Sequence, residues 1–337
     1  MSHHADTQSM KAVVLHSDVP EEAGMDEKDA LVQAACVSSA LSELGYESIT
    51  IPFSLNVARV IDILRDVQPA FVFNIVETMA GQGSLIHVAP SILDFLKIPY
   101  TGAGTEATFL TSNKILAKQA LNTAGIATPQ LFLPHENNYC GDFVEGTYII
   151  KAVWEHASTW FCDDSIIHAR DPNQLRAAMA ALQRKLGMAC FAETFVEGRE
   201  FNLSLLAGEG GPHVLAPAEI RFDDFPPGKV RVVDYLSKWV EDSFEYHHTP
   251  RCFDFPEEDT PLLHRVSDLA LHCWRVFDLR GYARVDFRID SVGKPWVLEV
   301  NTNPCLSPDG GFYAALDRSG LRFARAIERI IRDAASF

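Results

Sequence analysis

"WVLEVNTNPCLSPDGG", residues 296–311, reads as a strand that stops abruptly in a polar loop with two prolines and two glycines. Trp296, Val297, Leu298 and Val300 suit a pleated, half-buried surface, whereas Glu299 and Asn301 do not. Side chains two positions apart on a strand share a face, so Glu299, Asn301 and Val297 are expected together, opposite Trp296, Leu298 and Val300. Upstream, "GYARVDFRID" (281–290) alternates in the same way. Arg284, Asp286 and Arg288 point one way, and Val285, Phe287 and Ile289 the other. The intervening "DSVGKP" is a turn, so the two stretches are predicted to form a hairpin with one apolar face. Its other face gathers Arg284, Asp286, Glu299 and Asn301.

Two carboxylates and an amide oxygen are hard ligands that suit Mg²⁺. Residues i and i+2 on one strand face lie roughly 7 Å apart, so a bidentate Glu299 between Asp286 and Asn301 can serve two ions. A pair of Mg²⁺ ions clamping a triphosphate is a common way to move a phosphoryl group. A solvated strand face with alternating charges satisfies the same pattern.

The rest of the chain narrows the choice. It has 337 residues, is 47% hydrophobic and 22% charged, and carries a formal charge of −16. It is too long for one ordinary core, which predicts two or three domains. A chain this acidic is a poor partner for nucleic acid or an anionic membrane, and an anionic ligand needs locally placed cations or a metal. No stretch approaches the roughly 20 apolar residues of a membrane span. The first residues lack the layout of a signal peptide, so a cytoplasmic location is expected. The seven cysteines (36, 140, 162, 190, 252, 273 and 305) are scattered without a C-x-x-C pair, which disfavours zinc and disulfide frameworks.

The first hundred residues alternate strand and helix: strands at 11–17, 48–53 and 70–76, and helices at 26–45, 56–67 and from 89. This order predicts a parallel sheet with helices on its faces. A second unit opens near residue 105. Its helix, "TSNKILAKQALNTAGIATP" (111–129), has Thr111 and Ser112 as cap candidates. The strand "TYIIKAV" (147–153), the helix 171–187 and the strand "CFAETFV" (190–196) follow. The last unit is sheet-rich, with strands at 200–207, 213–222 and 281–290, and long helices at 260–277 and 322–335.

Phosphates call for cations. Lys114 lies in the first turn of its helix, and Lys151 ends an apolar strand, where an unpartnered ammonium is costly. After Lys151, "AVWEHASTW" offers Ala157, Ser158 and Thr159, small enough for backbone N–H groups to approach phosphate oxygens. In "AETFVEGRE", the strand end from Glu193 to Val196 is suited to meet an adenine edge with backbone groups. Glu200, after the Gly198 turn, is suited to accept a ribose hydroxyl. A hairpin with charged turn residues is the plainer alternative.

In this order, "IPYTGAGTEATFLTSNKILAKQAL", "IIKAVWEHAS", "ETFVEGREF", "PAEIRF", "VDYLSKW", "GYARVDFRID" and "LEVNTNPCLSP" resemble the D-alanine–D-alanine ligase branch of the ATP-grasp superfamily. The resemblance implies an α/β chain, α+β towards its C-terminus, in three domains: a Rossmann-like unit (1–104), a central unit (105–196) and a catalytic unit (197–337). It implies ATP contacts from Lys114, Lys151, Ser158, Glu193, Phe195, Val196 and Glu200, with Lys238 reaching the phosphates from a loop. It implies two Mg²⁺ ions, with Mn²⁺ as a substitute, on Asp286, Glu299 and Asn301, and Arg284 stabilising charge on the attacked carbonyl. The implied reaction joins a small-molecule carboxylate to an amine through an acyl phosphate, and the implied assembly is a homodimer.

The chain departs from that pattern where the substrates would lie. "PCLSPDGGF" has Cys305 in place of a glycine, and Gly310-Gly311 where the ligases hold the second substrate's carboxylate with a Ser-Leu pair. "FNIVETMAG" lacks the strand-end histidine, and "HSDVPEEAGMDEKDA" lacks a clear match to the Glu that anchors an amine. "EHASTW" replaces a glycine-serine loop, and Trp239 replaces a tyrosine. A substrate pair other than two D-alanines is therefore expected. A D-alanine–D-alanine ligase with a diverged pocket and a catalytically silent nucleotide-binding module are the alternatives. Cys305 reads as a small packing residue, and His156 as a loop residue that could touch a phosphate.

Overall fold

The computed structural model describes residues 10–133, 143–154 and 165–334. Strand β1 (Lys11–Ser17), helix α1 (Met25–Glu43), β2 (Glu47–Phe53), α2 (Val57–Val67), β3 (Phe71–Ile75) and α3 (Val88–Leu96) follow one another. The strands pair in parallel in the order β2-β1-β3. Alternation along β1 sends Ala12 and Val14 into a core with α1, and Val13 and Leu15 into a second core with α2 and α3. Both faces are thus covered, as a parallel sheet requires.

Helices α4 (Thr105–Ser112) and α5 (Lys114–Thr123) come next. Thr111 and Ser112 close α4 rather than capping α5. The cap is Asn113, whose Oδ1 accepts from the backbone N–H groups of Ile115 (3.1 Å) and Leu116 (3.0 Å). Ala107, Ala117 and Leu121 of these helices pack into the core of the large C-terminal sheet.

A four-stranded antiparallel sheet follows, built from β4 (Leu131–Phe132), β5 (Gly146–Ala152), β6 (Ile166–Ala169) and β7 (Cys190–Thr194), with α6 (Pro172–Leu186) between the last two. Asp171 caps α6, Pro172 occupies its first turn and Gly187 ends it at φ +67°, as its sequence demands. Tyr148, Ile150, Cys190 and Ala192 pack against α6. The opposite face carries Ile149, Lys151, Phe191 and Glu193.

The largest sheet contains β8 (Arg199–Leu206), β9 (His213–Val214), β10 (Ala218–Ile220), β11 (Arg251–Cys252), β12 (Tyr282–Ile289) and β13 (Pro295–Asn301). Its order is β11-β10-β8-β12-β13, with β9 beside β8. The strand expected over 213–222 is two short ones, because Pro217 cannot donate to the ladder. Helices α7 (Tyr235–Trp239) and α8 (Phe244–His247) precede β11, and α9 (Thr260–Val276) covers one sheet face. Helix α10 (Gly311–Arg318) and α11 (Phe323–Ala334) pack with α1 against the first sheet. Among the described residues, no helix is long and apolar enough to cross a membrane.

Candidate active site

The uncovered face of the large sheet is a grid of polar side chains. Strands β8, β12 and β13 are antiparallel neighbours, so register alone assembles rows across them. Ser204 faces Arg284, and Arg284 faces Asn301. In the next row Asn202 faces Asp286, and Asp286 faces Glu299. In the third Glu200 faces Arg288, and Arg288 faces Trp296. Phe201, Leu203, Val285, Phe287, Val297 and Val300 fill the core behind. Arg284, Asp286, Glu299 and Asn301 therefore share one face, but Val297 does not. The register shifts between Asp286 and Phe287, so Leu298 and Glu299 together oppose one residue. This bulge resets the alternation, which sends both Val297 and Val300 inward and turns Leu298 to the cavity.

The carboxylates are tightly held. Asp286 accepts Arg284 Nε at 2.7 Å and Nη2 at 2.8 Å, and Asn202 Nδ2 at 2.8 Å. Glu299 accepts Lys114 Nζ at 2.9 Å. Asn301 Nδ2 donates to both, at 3.2 and 3.3 Å. Burial pushes Asp286 up, and the neighbouring Glu299 charge adds to it, against Arg284. Burial also works against ionised Glu299, but Lys114, Lys151 and Lys238 outweigh it and hold this carboxyl well below its usual range. Of the pair, Glu299 ionises first.

A second network stands across the cavity. Glu193 is 1% exposed and sits between two ammonium groups, Lys118 and Lys151, each at 2.7 Å. Burial would push Glu193 up; the two lysines hold it below the ordinary carboxylate range. Lys118 also donates to Thr128 Oγ1 (2.9 Å) and the Leu298 carbonyl (3.1 Å), tying α5 to β13 at its bulge. The backbone N–H of Lys114 donates to the Val153 carbonyl (3.0 Å), which places the start of α5 beside the end of β5. Sequence reasoning missed Lys118, because a helical lysine is ordinarily exposed. The one available signal was its position one turn after Lys114.

Phe195, Val196, Glu200 and Lys238 line the same cavity, of about 470 Å³. The Phe195 ring lies under the guanidinium of Arg288 at 5.5 Å, and Arg288 pairs with Glu200 Oε2 at 2.7 Å. Arg288 shares the face with Arg284 and Asp286, as the alternation predicts; its pairing with Glu200 is what the sequence does not reveal. Lys238 lies in the last turn of α7, whose start is capped by Asp234. Ser158 and His156 lie outside the described residues.

At the far end, α1, β3 and the loop after β13 meet. Gln33 Nε2 donates to Asp29 Oδ2 (3.0 Å) and Glu77 Oε1 (2.9 Å), and Gln33 Oε1 accepts the Leu306 N–H (3.0 Å). Cys305 Sγ donates to Asp29 Oδ2 at 3.1 Å, and Ser307 Oγ donates to Asp29 Oδ1. Burial pushes Glu77 up to about 7. Burial, with Asp29 and Glu77, pushes the Cys305 thiol far above its usual value, which leaves it protonated and a poor nucleophile. Gly310 and Gly311 leave the wall without side chains, and Arg251 of β11 reaches across to them. None of Asp29, Gln33, Glu77 and Arg251 was identified from sequence, because only the tertiary fold brings them to one place.

Residues 165–332 match the family described as D-ala D-ala ligase C-terminus. A D-alanine–D-alanine ligase of a Synechococcus strain is 30% identical over 260 residues, 75% of this chain and 73% of that protein. The one from Magnetococcus marinus is 27% identical over 98% of this chain and 99% of its own length. An uncharacterized protein of Sinorhizobium fredii is 25% identical over 88% of this chain and 86% of its own. The crystal structure of D-alanine–D-alanine ligase from Bacillus anthracis complexed with ATP superposes at a TM-score of 0.72. It is 19% identical and covers 97% of this chain and 98% of that one, which establishes a common fold. This chain belongs to the D-alanine–D-alanine ligase family of the ATP-grasp superfamily, whose members are ATP-dependent ligases that form carbon–nitrogen bonds.

Proposed function

We propose that this enzyme joins a carboxylate to an amine through an acyl phosphate, with a substrate pair other than two D-alanines. The observation that carries the second half is the far wall of the cavity. There a half-buried Asp29–Gln33–Glu77 network, Cys305, a bare Gly310-Gly311 and Arg251 meet. A wall with different charges rejects the old substrate by leaving buried groups unpaired.

In the first step a substrate carboxylate oxygen attacks the γ-phosphorus of ATP and ADP leaves. Lys114 and Lys151, brought together by the contact between α5 and β5, neutralise phosphate oxygens and are held in place by Glu299 and Glu193. Lys238 adds a third positive charge from α7. Val196 and Phe195 pack the base, and Glu200, steadied by Arg288, faces the ribose. In the second step the amine attacks the acyl carbonyl and phosphate departs. Arg284 uses Nε and Nη2 for Asp286, so Nη1 remains for the oxyanion.

The donor set fits Mg²⁺, with Mn²⁺ as its substitute. Asp286, Glu299 and Asn301 converge, and a half-turn of the Asn301 amide exchanges its donor for an oxygen between the carboxylates. Among the described residues no group of three or more His, Cys, Asp or Glu is placed to hold a metal. Two ions here would thus complete their coordination with phosphate oxygens, and when bound they neutralise charge on the transferred group. The three-unit division at 1–104, 105–196 and 197–337, the homodimer and the cytoplasmic location complete the proposal.

A screen of ADP release over pooled amino acids and small acids, with mass spectrometry of the products, tests this reading. A product other than D-alanyl-D-alanine is expected. The names of the relatives favour a second reading, ligation of two D-alanines; efficient formation of that dipeptide would establish it.

A further inference from the structure

Glu193, Glu200, Asp286 and Glu299 each hold a cation at hydrogen-bond distance. Glu77 lines the same cavity but forms no ion pair with the described residues. Its carboxyl has one hydrogen-bond partner among them, Gln33 Nε2, which donates to Oε1 at 2.9 Å. Oε2 accepts no bond from them and is open to the cavity.

The place of Glu77 is fixed from three sides. Ser17 Oγ, at the end of β1, accepts the N–H groups of Glu77 and Thr78, each at 3.0 Å. Asn303 Nδ2 donates to the Val76 carbonyl at 3.0 Å, and Asn303 Oδ1 accepts the Tyr282 hydroxyl. Gln33 of α1 holds the carboxyl itself. Tyr282 precedes Arg284 by two residues on β12, so these contacts set Glu77 at the end of the cavity where Arg284 awaits the attacked carbonyl. Arg284 is also the cation that acts on it.

An amine near pH 7 is mostly ammonium, without the lone pair that attack requires, so a neighbouring group must take a proton. Asp29 has both oxygens engaged, Oδ2 by Gln33 and Cys305, and Oδ1 by Ser307. Cys305 keeps its own proton. Asp286 and Glu299 are bound to Arg284 and Lys114, and the exposed Asp309 acts on Arg251. Glu77 remains, a carboxylate at the carbonyl end with an oxygen to spare. The groups that act with it are Asp26 and Asp29 from α1, Arg284 and Tyr282 from β12, and Cys305 from the loop after β13; β1 contributes the uncharged Ser17. Burial leads, and with the two aspartates it keeps the proton on Glu77 up to about pH 7, against Gln33 and Arg284. A general base works best near its operating pH.

On the ligase reading above, we infer that Glu77 is the general base of the second step, its Oε2 taking one proton from the substrate ammonium. The freed lone pair forms the C–N bond to the acyl carbon, and the C–O bond to phosphate breaks. The nitrogen gives its second surplus proton to the departing phosphate, and Glu77 returns the first to solvent. Gln33 is a positioning residue that aims the carboxyl.

The test supplies the whole chain with MgATP and a pool of amino acids and small acids, with and without hydroxylamine. Hydroxylamine is mostly neutral at pH 7 and attacks an acyl phosphate without a base, giving a hydroxamate. In Glu77→Gln the amide-forming rate should fall at least ~100-fold while hydroxamate formation changes by less than about threefold. Glu77→Asp should recover part of the amide rate. In the parent the amide-forming rate should rise with pH through about 7, a limb absent from Glu77→Gln and from the hydroxylamine reaction. Equal loss with both acceptors in a variant that melts no lower than the parent, or no loss with either, overturns the assignment. Should Glu77→Gln fail to fold, the parent decides: a limb centred near pH 7 with amines alone retains the assignment, and the same limb with hydroxylamine overturns it. A parent that forms neither amide nor hydroxamate contradicts the ligase reading, and the base falls with it. Failure of the base alone shows instead as a parent active with both acceptors and a Glu77→Gln variant that matches it.

Discussion

The two ends of the cavity are built in different ways. At the nucleotide end, most functional side chains sit on strands or near the start of α5, and strand register fixes the neighbours of those on the large sheet. Each buried carboxylate there has a cation: Glu193 has Lys118 and Lys151, Glu299 has Lys114, Asp286 has Arg284, and Glu200 has Arg288. At the substrate end, α1, the segment after β3 and β11 contribute one or two residues each, and the 302–311 loop contributes the rest. Charge there is less evenly matched: Asp29 and Glu77 stand together beside Gln33, and Arg251 stands near Asp309 at the start of α10. A balanced lattice is suited to one constant ligand, whereas an unevenly matched wall is suited to a ligand that brings its own charges. The first should tolerate little change, and the second should change its choice of substrate.

The most severe disruption of the lattice is Asp286→Asn. It removes a charge from the proposed metal set and leaves Arg284 uncompensated. ADP release should fall at least ~10³-fold, as for other groups that act on transition-state charge; retention of more than a tenth of the rate would refute the metal assignment. Next is Glu193→Gln, which leaves two inward-facing lysines on one neutral partner. Breaking a buried ion network in this way costs about 3–5 kcal/mol, seen as a lower denaturation midpoint together with a raised KM for ATP. A change below about 1 kcal/mol would mean that Lys118 and Lys151 find other partners.

At the substrate end the leading effect is one of pH. Glu77 has a folded-state pKa of about 7, above the roughly 4.3 of an unfolded glutamate. The folded chain therefore keeps the proton longer. The stability this confers is complete below the lower value and is lost as pH rises through 7, by on the order of 3 kcal/mol. Glu77→Gln should remove that loss, so the variant gains on the parent in melting temperature between pH 5 and 8. Parallel curves would show that Glu77 is ionised throughout. The smallest effect expected is that of Asn113→Ala, which removes the cap of α5 beside Lys114 and costs about 1 kcal/mol. It should shift the melting temperature by a few degrees and leave the product unchanged; a new product would mean that the two ends are coupled.

The contrast also explains what was legible in the sequence. Strand alternation exposed Arg284, Asp286, Glu299 and Asn301, because the site face is polar where the core face is Val and Phe. It misassigned Val297, since a bulge leaves no composition of its own and appears only when two strands pair out of step. Lys151 was legible as a cation inside an apolar strand. Lys118 was not, because α5 buries it only by packing against β13 and the central sheet. Arg288 was hidden in plain view: its alternation was evident, but its partner Glu200 lies on a strand 88 positions away in the chain. At the substrate end, the departures at Cys305 and Gly310-Gly311 could be read as losses. What replaces them could not, because Asp29, Glu77 and Arg251 belong to three segments that have no reason to meet until the first and last sheets pack together.

The most direct measurement is product identification after incubation of the enzyme with MgATP, D-alanine and a pool of other amino acids and small acids. The account of the substrate wall requires ADP formation with a main product other than D-alanyl-D-alanine, and its loss in Asp286→Asn. Efficient synthesis of D-alanyl-D-alanine as the main product would contradict it.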